Sequence, residues 1–146
     1  MPPLLPIPLG MKRVVLVIGV LAILAGATYL VKVYTTVRAN ARTAKLGADI
    51  ENLFQGLQQY KENVGSYPVG NNATVVKALM GHNSKNVIIL VSRKLDVNEK
   101  GEFIDSWGTA LRLYFSDSSV LVRSAGPNRR FDDSSSLEFD DYIRSN

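Results

Sequence analysis

An uncharged apolar run, Val14 to Val31, constrains this chain more than any other feature: VVLVIGVLAILAGATYLV. Its 18 residues, wound as a helix, reach roughly 27 Å, close to the ~30 Å hydrocarbon core of a bilayer. Three readings compete: a membrane anchor, a cleaved secretory signal, and a buried core helix. Lys12 and Arg13 precede the run, and Ala25-Gly26-Ala27 fits a small-residue cleavage site, so the signal reading stays open. A domain of this size rarely hides so apolar a helix. The anchor therefore leads, with a transmembrane helix over 14–31 and residues 1–13 as a leader or N-terminal tail. Residues 1–10 carry four prolines and are expected to be non-helical. Met11-Lys12-Arg13 reads as an alternative translation start.

Charge distribution narrows the partners. The net charge is +4, which by itself suggests nucleic acid. Residues 12–45, however, hold six basic residues (Lys12, Arg13, Lys32, Arg38, Arg42 and Lys45) and no acidic one. Residues 46–146 hold 11 basic and 13 acidic residues, a net of −2. Such a region is a poor partner for phosphate backbones, and no nucleic-acid partner is expected. The chain has no cysteine and one histidine, His82. Disulfides, thiol catalysis, Cys-based zinc sites and multi-His metal sites are excluded. No G-x-S-x-G and no phosphate-cradling glycine motif occurs, and His82 falls in a polar loop, so no enzyme is expected.

The helical pattern continues past the apolar run. Leu46, Ile50, Leu53, Phe54, Leu57 and Val64 recur at i, i+4, i+7, i+8, i+11 and i+18, the stripe of an amphipathic helix. Gly65 suits a left-handed cap and Pro68 lies just beyond it. The first half thus reads as one helix of about 50 residues, on the order of 75 Å long, with a break near Ala39-Asn40-Ala41 as the alternative. Beyond Pro68 a short helix is expected over Asn72–Met80, capped by Asn71 or Asn72 and stopped at Gly81. Val87–Val91 is expected to be a strand or extended segment. Leu111–Phe115 and Val120–Ser124 form a hairpin across Ser116–Ser119, and Tyr142-Ile143 supplies a last strand. The fold class is α+β: one long N-terminal helix, membrane-spanning in its first half, packed on a small antiparallel sheet. The extramembrane part, 32–146, divides into a helix over 32–64 and a globular part over 65–146.

Four ordered motifs carry a resemblance. Asp105 to Tyr114, DSWGTALRLY, is similar to a D-P-W-G-x-P-x-x-Y segment, and Ser124 to Asn128, SAGPN, to S-x-G-P-D. Asp140-Asp141-Tyr142-Ile143 is similar to a D-D-I ending, and Gly65-Ser66-Tyr67-Pro68 to the G-x-Y-P that closes a long helix. Together they resemble the type IV pilin-like family, and within it the major pseudopilins of type II secretion, over about residues 45–146. The resemblance implies a subunit of a pseudopilus or type IV pilus-like filament that assembles through its apolar helix. It would form homo- or hetero-oligomers with other pseudopilins and meet inner-membrane secretion components, with lipid around 14–31. It implies a single-pass protein of the inner membrane with its C-terminal domain in the periplasm, whereas a literal count of Lys and Arg leaves that domain in the cytoplasm. The N-terminus departs from the family pattern. Gly10-Met11 fits a leader junction, but the fifth position after it is Val15 where the family carries Glu, and no acidic residue precedes Asp49. That departure opens a second reading: a non-polymerising, membrane-tethered pilin-like binding module.

The resemblance also implies calcium in the loop from Ala125 to Asp141. Calcium takes six to eight oxygen ligands, several of them carboxylate. The candidate ligands are Asn128, standing where the family has Asp, with Asp132, Asp133, Asp140 and Asp141. Ser134, Ser135, Ser136 and Glu138 lie in the same loop, and Arg129 and Arg130 add opposing charge. The competing reading is a solvated acidic tail.

Overall fold

The computed structural model of the chain describes residues 9–90, 96–133 and 139–146. Helix α1 runs from Leu9 to Val64 and α2 from Asn72 to Leu79. Strands β1 (Arg112–Phe115), β2 (Val120–Ser124) and β3 (Tyr142–Ser145) form one antiparallel sheet in the order β1-β2-β3. This is an α+β arrangement of a long N-terminal helix and a small three-stranded antiparallel sheet. The chain divides into two units, one ending at Ala41 and the other running from Arg42 to Asn146.

In the first unit the helix begins earlier than its prolines suggest. The last of them is Pro8, and Leu9 and Gly10 already belong to α1. No break falls at Ala39-Asn40-Ala41, where two alanines favour helix on either side of one asparagine. The large apolar side chains between Val14 and Val37 are 41–73% exposed. Thr28 Oγ1 donates to the Ala25 carbonyl, and Thr35 and Thr36 both donate to the Lys32 carbonyl, so each hydroxyl is satisfied within the helix. That is how a hydroxyl is tolerated on an apolar helix. By length and composition α1 contains one helix long and apolar enough to cross a membrane.

The second unit is built on the other half of α1. Leu46, Ile50, Leu53, Phe54, Leu57 and Tyr60 line one buried face, Tyr60 extending the stripe read from the sequence. Val75, Val76, Ala78 and Leu79 of α2 and Val120 and Val122 of β2 complete the core with Tyr67, Leu90, Phe103 and Leu111. Burying side chains of this size stabilises by about 1.5–3 kcal/mol each, set against the entropy of ordering them. Gly65, at φ +101°, ends α1 with its N–H on the Lys61 carbonyl. Asn71 is the N-cap of α2, its Oδ1 accepting from the Thr74 N–H at 3.0 Å.

The hairpin pairs Arg112 with Arg123 and Phe115 with Val120. β1 starts one residue later than expected, because the Leu111 N–H bonds to Phe103 instead. β2 alternates buried Val120, Val122 and Ser124 with half-buried Leu121 and Arg123. β3 pairs with β2 through Arg123–Ile143 and Ser124–Tyr142, and runs two residues past Ile143. The β-branched run Val87–Val91 is only partly described, since Val91 lies outside the described residues. Its described part joins no sheet: Ile89 and Leu90 both donate to the Leu79 carbonyl, and the run serves to close the end of α2.

Candidate functional site

Two of the sequence motifs meet at one buried carboxylate. Asp105 is 3% exposed. Its Oδ1 accepts from the N–H groups of Trp107 and Thr109, both at 2.9 Å, which folds Asp105–Thr109 into a tight turn. Its Oδ2 accepts from Ser124 Oγ at 2.9 Å, and Ser124 Oγ in turn accepts from the Gly126 N–H at 3.1 Å. A single chain of hydrogen bonds therefore fixes the turn around Trp107 against the start of the Ala125–Asp141 loop. A buried carboxylate is tolerated when its lone pairs are filled in this way. Sequence reading noted Asp105 and Ser124 as motif members and missed their contact, which spans 19 residues.

Gly126 places the next part of the loop. Its φ is +65°, and a Cβ added there would lie 2.3 Å from the Asp140 carbonyl oxygen. The backbone of the Ser124–Asn128 turn thus lies directly on that of Asp140, a closeness only glycine permits. This approach brings the two ends of the acidic loop together.

Asp132, Asp140 and Asp141 form the cluster, with one carboxylate oxygen from each lying within 4.8 Å of the others. The Asn128 N–H donates to Asp140 Oδ2 at 3.2 Å, and its Nδ2 donates to Asp132 Oδ2 at 3.0 Å. Asn128 Oδ1 accepts from the Arg130 N–H at 2.7 Å. As placed, Asn128 thus presents its amide nitrogen to the cluster and turns its oxygen back onto its own turn. Asp133 is exposed and stands outside the trio. Ser134, Ser135, Ser136 and Glu138 lie outside the described residues.

Like charges at about 5 Å oppose one another by roughly 3 kcal/mol per pair at an effective dielectric of about 20. N–H donors offset part of this, those of Asp132 and Asp140 included, and positive charge offsets more. One source is internal: Arg123 Nε donates to Asp141 Oδ2, and Arg123 Nη2 donates to the Asp132 carbonyl. The Asp141 side chain is 0% exposed, so its partner matters. A second source is wanted at Asp140, whose Oδ1 is buried without a hydrogen-bond partner among the described residues. A buried, unpartnered carboxylate oxygen beside two further carboxylates suits a hard cation. Asp132, Asp140 and Asp141 are thus placed where they could together hold a metal ion.

A separate open cleft of about 710 Å³ lies between Gly65–Gly70 and Leu113–Asp117. Ser116 Oγ is engaged by Ser119 there, accepting its N–H at 3.1 Å. His82 is exposed, as a loop histidine should be. No family model, curated protein or solved structure matches this chain.

Proposed function

We propose that this chain is a pseudopilin-like structural subunit of a type II secretion pseudopilus or a type IV pilus-like filament. It works by packing helices, with no chemistry of its own. It sits in the inner membrane through residues 14–31, with residues 32–146 in the periplasm, and assembles there with other pseudopilins and inner-membrane secretion components. The observation that carries this reading is the division of labour along α1. The helix is unbroken from Leu9 to Val64. Its second half supplies the core of the second unit, while its first half leaves large apolar side chains up to 73% exposed. So large an apolar surface needs lipid or other helices around it.

The absence of any acidic residue before Asp49 favours a second reading, a tethered pilin-like module that stays monomeric. Intact mass and N-terminal sequencing of the protein from native membranes separate the two. A mature, methylated end at Met11 supports the filament subunit. An unprocessed end supports the tethered module, and an end at Thr28 removes both by making the domain soluble.

The same reading includes calcium at Asp132, Asp140 and Asp141. Millimolar calcium is expected to raise the melting temperature of the full chain in detergent. Ligand at one hundred times its Kd is worth about 2.7 kcal/mol, a readily visible shift. No change between calcium and EGTA would remove the metal from the account.

A further inference from the structure

We propose that Arg123 is the resident cation of the C-terminal loop, and that its guanidinium sets how tightly the loop takes a divalent ion. The second part of this rests on the calcium reading above; the first does not.

Arg123 belongs to β2, between the buried Val122 and Ser124. Strand alternation sends its side chain to the opposite face from theirs. There it makes two contacts that no other described residue makes together. Nε donates to the carboxylate of Asp141, and Nη2 donates to the main-chain carbonyl of Asp132. Those acceptors stand at the two ends of the segment 133–140, so one guanidinium ties both ends of the loop to the sheet. The Phe131 ring secures the site from the side. The Arg112 guanidinium lies 3.8 Å from its centroid and that of Arg123 lies 5.5 Å from it. Rings of this kind hold cations by their negative faces.

A carboxylate and a main-chain carbonyl from separate parts of a loop are also what calcium collects. Arg123 therefore performs, with a side chain, the bridging that a bound ion performs in an ion-dependent loop. Two consequences follow from charge. Asp132 and Asp141 can be held to β2 without metal, because Asp141 already has its counter-charge. A divalent ion that enters must share Asp141 with a guanidinium, and calcium affinity falls as the net negative charge of a site falls. The sequence departs in the same direction at Asn128, which is neutral.

The test is a calorimetric calcium titration of the full chain in detergent, comparing wild type with Arg123→Gln and Arg123→Lys. Amide exchange at Asp132 and Asp141 is followed in EGTA. The glutamine keeps donors and removes charge; the lysine keeps charge and loses the fork. Arg123→Gln is expected to bind calcium at least tenfold tighter than wild type, to exchange faster in EGTA, and to recover protection with calcium. Arg123→Lys is expected to bind within about threefold of wild type. Should Arg123→Gln prove unstable without metal, it is prepared with calcium and back-titrated with chelator, giving the same affinity. Equal affinities for wild type and Arg123→Gln overturn the tuning role of the arginine and leave the calcium reading intact. Failure of all three proteins to bind overturns the calcium reading and the tuning role together, while the resident role is decided by the exchange measurement. Unchanged exchange of Arg123→Gln in EGTA overturns the resident role of the arginine.

Discussion

At the scale of single residues, Asp105 joins the Trp107 turn to β2. One carboxylate serves two main-chain N–H groups and the Ser124 hydroxyl. Asp105→Ala is expected to cost about 2–4 kcal/mol, because it leaves the buried Ser124 hydroxyl and two half-buried N–H groups without their acceptor. Asp105→Asn should cost less, since its amide oxygen still serves the turn. Urea unfolding in detergent, followed by Trp107 fluorescence, measures both. Gly126 is the complementary case. Gly126→Ala combines a positive φ with a collision against the Asp140 carbonyl. A loss of about 1–3 kcal/mol is expected from the backbone conformation alone. Amide exchange should place that loss in residues 125–133 and 139–141, leaving α2 unaffected. Neither role could be read from residue identity. The sequence showed an aspartate before a tryptophan and a glycine before a proline, but the hydrogen bond and the close approach join residues 19 and 14 positions apart.

At the scale of elements, the helices were legible because their periodicity is local. The stripe Leu46, Ile50, Leu53, Phe54, Leu57 needs only the 3.6-residue repeat to be seen, and each of its members is buried. Leu53→Ala is expected to cost about 2–5 kcal/mol, while Gln55→Ala on the exposed side should stay within about 0.5 kcal/mol. Denaturant midpoints of the two variants make the comparison. The segment Val87–Leu90 was less legible. Its β-branched residues suit a strand, yet it bonds to the end of α2, because strand formation depends on a neighbour that local sequence does not name. Lys45 adds a polar tie on α1, pairing with Asp96 and with Asp49 one turn on. The Asp96 carboxylate, then that of Asp49, raises its pKa above 10.5. A raised pKa of this kind stabilises fully below 10.5 and is lost as pH climbs through the folded value. The side chain is half exposed, so solvent screening holds the effect below about 1 kcal/mol. Thermal melts at pH 9 and pH 11 should show Lys45→Met losing less stability over that rise than wild type.

At the scale of the whole molecule, the α+β class followed from a long apolar-then-amphipathic helix and a hairpin signal, both written in contiguous residues. The acidic site was half legible. The family resemblance pointed to the loop, and Asp132, Asp140 and Asp141 do converge. The orientation of Asn128, the exposure of Asp133 and the reach of Arg123 depend on how β2 and β3 set the loop ends, which no spacing encodes. The proposed filament role requires the apolar half of α1 to pack against other helices of its kind. The chain has no cysteine, so single cysteines can be placed without background. Leu16, Ile23 and Leu30, each more than half exposed, are suitable positions, with exposed Lys85 as the control. Oxidative crosslinking in native membranes is the direct measurement. Crosslinked dimers are expected from at least one helix position and none from Lys85→Cys; monomer at all three helix positions would contradict the filament role.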